Sequence, residues 1–238
     1  SPHPLLRFAA LRTLADLARR RPQLLTGCVS ELELLVLDSH RGIAAMALTA
    51  LLRVTNTEAG VDRLLQQLSS SPSGSQSPMA ELAEEQRLLV VEAVRLLAQR
   101  FPSKQAALLD FLGAALKETN AAAATTAAEE QQGDTAPAYR LALVEAIGGL
   151  LAVAPDAALG HLCELVEDCA SPDLAVRVVH LLGEQGGLSK HPARLVRCLH
   201  NRLILEGARV RCAAVGALGR LAHQLPSLSA SIEAILRS

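Results

Sequence analysis

The side chains of this chain best suited to chemistry lie together in one short stretch, "HLCELVEDC", at positions 161–169. A histidine, two cysteines and three carboxylates could together bind a metal ion or activate a thiol. The six residues are His161, Cys163, Glu164, Glu167, Asp168 and Cys169. Whether they can act together depends on the element that positions them.

Apolar residues in this stretch recur at i, i+3, i+4 and i+7, which predicts one buried stripe of an amphipathic helix. The stripe consists of Leu162, Leu165, Val166 and Cys169. On such a helix His161 and Cys163 project about 160° apart, so they cannot both ligate one ion, and zinc needs four converging ligands. We therefore expect core packing for the two cysteines and an exposed position near carboxylates for His161.

No other motif in the chain indicates catalysis or a bound cofactor. The sequence contains no HExxH, no GxxxxGK[ST], no dinucleotide-binding glycine pattern and no GxSxG. The glycines of "GEQGG" (183–187) are typical of a helix end. We expect no enzymatic activity, no metal and no cofactor, although a Ser-His-Asp set assembled from distant positions stays open as an alternative.

The composition predicts an all-helical protein. Half of the 238 residues are apolar, but only 2 % are aromatic and Trp is absent. Leu and Ala, both strong helix formers, must fill nearly all of the core. No stretch shows sustained alternation of apolar and polar residues, so no sheet is predicted.

A repeated helix ending predicts the architecture. Four apolar helices reach Leu-Ala and then a proline, which cannot continue a helix. The four endings are "LARRRP" at Pro22, "LAQRFP" at Pro102, "LAVAP" at Pro155 and "LAHQLP" at Pro226. Their spacing fits a period of roughly 41 residues, with further stops near 56 and 187, which is typical of HEAT or armadillo helical pairs. We predict one alpha-solenoid segment over residues 1–238, because such pairs bury their apolar faces only by stacking.

Two segments interrupt the repeat. Residues 69–79, "SSSPSGSQSPM", are rich in Ser, Pro and Gly and are predicted to form a loop. Residues 119–137 are a low-complexity insertion, predicted to be a loop whose alanines could extend the preceding helix by a turn or two.

The cysteines and the apolar runs indicate a cytoplasmic protein. Five cysteines in helical apolar patterns fit free buried thiols in a reducing compartment. There is no signal-peptide pattern, and the longest apolar run, 141–154, contains Glu145 and is too short to span a bilayer. Because the chain starts at Ser1 and ends within a helical pattern, we expect it to be part of a longer protein.

Basic charge is concentrated at the C-terminal end. Residues 189–238 hold eight basic and two acidic residues, a balance of +6, although the whole chain has a net charge of −1. An acidic partner or an anionic membrane could meet this end, and an ordinary solvated surface is the alternative. The residues of this hypothesis are Lys190, Arg194, Arg197, Arg202, Arg209 and Arg211. We expect no nucleic-acid binding, since the middle of the chain is acidic and no basic stripe repeats on every unit.

Long colinear stretches of the chain resemble the gamma-subunit family of coatomer, the coat of COPI vesicles. They are "LVLDSHRGIAAMALTALLRV" (35–54), "GVDRLLQQLSS" (60–70), "LGHLCELVEDC" (159–169), "VVHLLGEQGG" (178–187) and "RLVRCLHNRLILEGARVRCAAVGALGRLA" (194–222). The residues that match include Asp38, Ser39, Arg41, Asp62, Arg63, His161, Leu162, Cys163, Glu164, Glu167, Asp168, Cys169, His180, Leu181, Leu182, Gly183, Asn201, Arg202, Glu206, Val210 and Arg211.

The resemblance implies the later part of an adaptin-like trunk, a non-catalytic scaffold in transport between Golgi and endoplasmic reticulum. It implies other coatomer subunits (zeta, beta and delta) and an Arf-family GTPase as partners of the whole trunk. It also implies peripheral contact with Golgi membranes and COPI vesicles. The zeta and GTPase contacts of the family lie mainly in the earlier half of the trunk, so no contact residue is transferred. A different helical-repeat scaffold, for nuclear transport or for a phosphatase, is the alternative. The insertion at 119–137 departs from the family pattern.

Overall fold

The computed structural model describes residues 3–36, 38, 40–69, 82–126 and 137–237. Within these ranges the chain forms twelve α-helices and three short 3₁₀ segments, without any β-strand. The predicted all-α class is confirmed, because Leu and Ala fill helix positions throughout.

The chain divides into two compact units, residues 1–111 and 112–238. The prediction of one continuous segment over 1–238 stays a prediction. The helices that begin in the first unit are α1 (Pro4–Arg20), α2 (Val29–Val36), α3 (Arg41–Val54), α4 (Glu58–Ser69), α5 (Glu84–Arg100) and α6 (Gln105–Thr126), which continues past residue 111. The helices of the second unit are α7 (Pro137–Gly149), α8 (Pro155–Asp168), α9 (Pro172–Gln185), α10 (Pro192–Leu205), α11 (Ala208–Gln224) and α12 (Pro226–Arg237).

Within each unit a helix packs against the next helix and against the next but one. In the first unit α3 lies between α1 and α5 and also packs on α2. In the second unit α9 packs between α7 and α11, and α10 packs against α8, α11 and α12. Two rows of helices that share one apolar layer are the packing expected of stacked helical pairs.

The prolines of the four repeated helix endings each follow one helix and begin the next element. Pro155 and Pro226 open α8 and α12, and Pro22 and Pro102 open 3₁₀ segments. Proline suits the first position of a helix because the missing N–H has no partner there. The helix ends predicted near residues 56 and 187 are also found, since α3 ends at Val54 and α9 at Gln185.

Two helix boundaries differ from the sequence prediction. The apolar pattern of residues 24–38 predicts one helix, but the structure has a 3₁₀ segment, Pro22–Cys28, followed by the shorter α2. The apolar pattern of residues 139–152 predicts a helix over this whole stretch, but α7 ends at Gly149 and the chain continues as turns. Gly148 and Gly149 form a pair of weak helix formers at that point, which favours an early end.

The two predicted loops have different outcomes. The loop at 69–79 lies almost wholly outside the described residues, and α4 ends at Ser69. The helix extension that the alanines of 119–137 allowed is found, because α6 continues through the alanine run to Thr126. Alanine has the highest helix propensity, so the run extends the helix without large apolar side chains. The remainder, 127–136, lies outside the described residues.

The core of the second unit is mainly aliphatic, with Tyr139 buried in it, and α9 approaches α11 very closely. A Cβ placed on Gly183 of α9 would lie 2.7 Å from both Cα and Cβ of Ala217 in α11. The absent side chain allows the two helices to touch through backbone atoms. In the described ranges, no helix combines the length and the apolar character needed to cross a membrane.

Candidate interaction surface

The stretch 161–169 lies on α8, and its two faces have separate environments. The predicted buried stripe is confirmed, with every member at most 4 % exposed: Leu162, Leu165, Val166 and Cys169. Glu167 and Asp168 are exposed and Glu164 is half-buried. The apolar face packs into the core because α8 contacts α9 and α10 on that side.

The cysteines of this stretch are core residues, as predicted. Cys163 is 1 % exposed, and its backbone oxygen accepts a hydrogen bond from the Sγ of Cys198 in α10 at 3.7 Å. A hydrogen bond with Cys163, together with burial, raises the pKa of the Cys198 thiol. Burial likewise raises the pKa of Cys169. Since the thiolate is the reactive form, Cys169 and Cys198 have the environment of inert packing groups.

The other two cysteines and His161 depart from the sequence prediction. Cys28 is half-buried and Cys212 is exposed, so the thiols are not all buried. His161, expected to be exposed, is half-buried because its ring lies over Gly113 of α6, where an added Cβ would come within 2.5 Å of the imidazole. Among the described residues, no three His, Cys, Asp or Glu side chains converge on a common point.

Charged residues of three neighbouring helices form a chain across the surface of the second unit. Glu164 of α8 pairs with Lys117 of α6 at 2.7 Å and with Arg194 of α10 at 3.7 Å. The hydrogen bond from Lys117 is the main cause that lowers the pKa of Glu164. Successive repeats are therefore connected by ion pairs as well as by the apolar core.

Replacing Glu164 by Gln should lower the free energy of unfolding by less than about 1 kcal/mol at pH 7, because exposed ion pairs are screened. The pKa of Glu164 is lower in the folded chain than its ordinary value of 4.5. The stabilisation is thus fully present above that ordinary value and is lost as the pH falls through the folded pKa. Urea unfolding at pH 7 and pH 3 should show a larger difference between the two proteins at pH 7 than at pH 3. A Glu167→Gln variant, changed on the same helix, should have the same free energy of unfolding as the wild type at both pH values.

Five of the six predicted basic residues lie at the surface of the second unit. They are Lys190, Arg194, Arg197, Arg209 and Arg211. Three of these bind carboxylates of the preceding repeat: Lys190 binds Asp156 at 3.4 Å, Arg194 binds Glu164, and Arg209 binds Asp173 at 2.5 Å. Arg197 and Arg211 form no ion pair with any described residue, so they are the more accessible charges of the set.

Arg202 is not a surface residue, and its place in the predicted set is wrong. Its side chain is buried between α10 and α8, with 7 % of the residue exposed. The guanidinium donates to the backbone oxygens of Val166 and Cys169, the latter at 3.0 Å, and pairs with Glu206. The last carbonyl groups of a helix lack partners within it, and Arg202 supplies donors to those of α8.

Two apolar residues that the charge pattern did not single out also lie on this surface. Ile204 and Leu205, at the end of α10, are 63 % and 78 % exposed. Ile204 follows Arg197 by seven residues and therefore lies on the same helix face. An apolar residue on the polar face of an amphipathic helix is unusual, and this feature of α10 could have predicted the exposed apolar residues from the sequence.

The stacked helical pairs, connected by ion pairs between repeats, define an alpha-solenoid scaffold. The chain matches the family described as "Adaptin N terminal region" over residues 1–238, and it belongs to that family.

Within that family the chain is similar to coatomer gamma subunits. It is 36 % identical to coatomer subunit gamma-1 of Bos taurus and 37 % identical to coatomer subunit gamma-2 of Homo sapiens, in each case over 100 % of this chain and 25 % of the relative. It is 38 % identical to coatomer subunit gamma of Anopheles gambiae, over 97 % of this chain and 24 % of the relative. The chain therefore spans about a quarter of the length of these relatives.

Proposed function

We propose that this chain is a non-catalytic trunk segment of a coatomer gamma subunit, in the COPI coat that carries proteins between Golgi and endoplasmic reticulum. The observation that carries the proposal is the identity of 36–38 % to gamma subunits over essentially the whole chain. Similarity over so many successive helices is specific, because helical repeats in general share only an apolar pattern.

The function follows from rigid spacing rather than from a reactive site. Apolar stacking and ion pairs between repeats, such as Glu164 with Lys117, fix each helical pair relative to the next within the second unit. A stack of this kind presents side chains to partners at fixed distances. The partners are other coatomer subunits, among them zeta, beta and delta, and an Arf-family GTPase bound by the whole trunk. The location is the cytoplasm, at the surface of Golgi membranes and COPI vesicles.

The exposed basic residues of the second unit form the proposed partner-facing or membrane-facing surface. This surface consists of Lys190, Arg194, Arg197, Arg209 and Arg211, with Arg202 omitted because it is buried. Arg197 and Arg211 are its best contributors, since both are exposed and neither engages a carboxylate of the described residues. Arginine binds carboxylate and phosphate groups in bidentate fashion, which suits an acidic protein surface or an anionic headgroup.

Reversing the charge at Arg194 and Arg197 together should reduce coat assembly on anionic liposomes severalfold, because two attractive charges become repulsive. Sedimentation of full-length coat complexes with the liposomes measures recruitment. The matched control is Arg220→Glu on α11, an exposed arginine outside the set, which should leave recruitment unchanged. Equal recruitment of all three proteins would remove the basic surface from the proposal.

Copurification tests the assignment to the coat separately. Coatomer subunits should accompany the full-length protein when it is isolated from cells. Recovery of nuclear transport cargo or of phosphatase subunits in their place would favour a different helical-repeat scaffold.

A further inference from the structure

A groove lies in the unit of residues 1–111, where α1, α3 and α5 pack side by side. Its volume is about 320 Å³, within the usual range of ligand-binding clefts. Three arginines line it, Arg12 and Arg19 from α1 and Arg53 from α3, against a single lining carboxylate, Glu85 of α5. None of these residues belongs to the basic surface of the second unit.

The three arginines line the groove with Arg12 and Arg19 exposed and Arg53 half-buried. Their guanidinium groups form no ion pair and no hydrogen bond with the described residues of the chain. Burial is the main cause that lowers the pKa of Arg53, and the nearby charge of Arg19 lowers it further. Glu92, which acts in the opposite direction on Arg53, is already engaged by Arg95 through two hydrogen bonds of 2.9 and 2.8 Å. The groove therefore holds three positive charges against one lining carboxylate, and this excess favours an anionic ligand.

The spacing of the arginines fits carboxylates on an extended peptide. Arg12 and Arg19 are seven residues apart on one helix and therefore about 10 Å apart along its axis. In a polyproline II segment, residues i and i+3 point to the same side and lie about 9 Å apart. Acidic residues at i and i+3 of such a segment can reach Arg12 at one end and Arg19 with Arg53 at the other.

The apolar part of the groove favours a peptide over a simple anion. Phe8 and Leu89 are 41 % and 36 % exposed at its edges, and Met46 is half-buried between them. A phosphate group would neutralise the arginines and leave these side chains in water. An apolar residue between two acidic residues would cover them, with a gain of about 25 cal/mol for each Å² removed from water.

We propose that this groove binds an extended acidic segment of a partner protein, with carboxylates three residues apart and an apolar residue between them. The carboxylates form bidentate pairs with the arginines, and the apolar residue packs between Phe8 and Leu89. This contact involves none of the residues of the basic surface of the second unit and does not depend on the coat function proposed above.

Fluorescence anisotropy of the full chain with a fluorescein-labelled synthetic peptide that repeats Glu-Leu-Pro tests the proposal. The double variant Arg19→Gln/Arg53→Gln should bind at least about tenfold more weakly than the wild type, because charge-assisted pairs are lost. Arg20→Gln changes the neighbouring arginine, which pairs with Asp16 within α1, and should bind within about twofold of the wild type. A peptide that repeats Gln-Leu-Pro should not bind, and added salt should weaken the binding of the Glu peptide.

Other outcomes would overturn the proposal. Equal binding of the Glu and Gln peptides, an equal effect of Arg20→Gln, or no binding of either peptide each contradicts an acidic-peptide site. Arginine-dependent binding of vesicles that contain phosphatidylinositol phosphates, without binding of the Glu peptide, would make the groove a headgroup site instead. Circular dichroism must show wild-type helix content in each variant. If the double variant fails to fold, Arg12→Gln alone should still weaken binding of the Glu peptide by about threefold.

Discussion

Arg202→Ala is expected to lower the free energy of unfolding by about 3 kcal/mol, although an arginine in a basic helix would ordinarily be replaced at little cost. The guanidinium is buried and donates to the oxygens of Val166 and Cys169 at the end of α8. Without it, two buried carbonyl groups lose their donors and Glu206 loses its partner. An unsatisfied buried polar group costs about 1–3 kcal/mol, and breaking a buried charge pair about 3–5 kcal/mol.

Urea unfolding followed by circular dichroism measures this loss, and hydrogen exchange should show faster opening of the last turn of α8. The matched control is Arg197→Ala, an exposed arginine on the same helix, for which a change within about 0.5 kcal/mol is expected. Arg202→Lys should recover only part of the stability, because an ammonium group cannot reproduce the planar fork that reaches both carbonyl groups. A destabilisation of Arg202→Ala no greater than that of Arg197→Ala would refute the capping role.

Gly183→Ala is expected to lower the free energy of unfolding by about 2 kcal/mol, against the usual stabilisation by alanine within a helix. The new Cβ would lie 2.7 Å from the Cα of Ala217, a backbone atom that can move only if α9 and α11 separate. Forcing an added methyl group into a packed core typically costs about 1–3 kcal/mol. Separation of these two helices would also loosen the apolar layer on either side of them.

Gly219→Ala in α11 is the control, because a Cβ there meets no atom within 4 Å. It should stabilise the chain by about 0.5–1 kcal/mol through the higher helix propensity of alanine. Thermal unfolding of the two variants should therefore shift in opposite directions. A melting temperature of Gly183→Ala equal to or above that of the wild type would contradict the close approach of α9 and α11.

The helices and their buried faces could be predicted because both depend on neighbours along the chain. Proline blocks a helix sterically wherever it occurs, so Pro155 and Pro226 fixed helix boundaries without knowledge of the fold. The stripe of α8 follows from the 3.6-residue period, and Leu162 and Val166 are fully buried as expected. The period predicted too long a helix at the Gly148–Gly149 pair, where local composition competes with it, and over residues 24–38, where a 3₁₀ segment precedes α2.

The charged surface could be predicted only in part, because residue type does not reveal which charges are already paired. Four basic residues of this segment look alike in the sequence, yet three of them pair with a carboxylate of an earlier repeat. The paired residues are Lys190, Arg194 and Arg209, and the fourth is Arg197. Arginine is usually exposed, and nothing in the local pattern of α10 distinguishes Arg202 from its neighbours.

By itself the sequence determined the all-helical class, the repeat and the likeness to the coatomer gamma family, since these rest on local sterics, on periodicity and on long colinear runs. Tertiary structure alone decided what each polar or small residue touches. Arg202 lies 36 residues from Val166, and Gly113 and Gly183 leave room for His161 and Ala217 on other helices. The physical reason is that such contacts depend on how helices stack, and stacking places residues of successive repeats side by side.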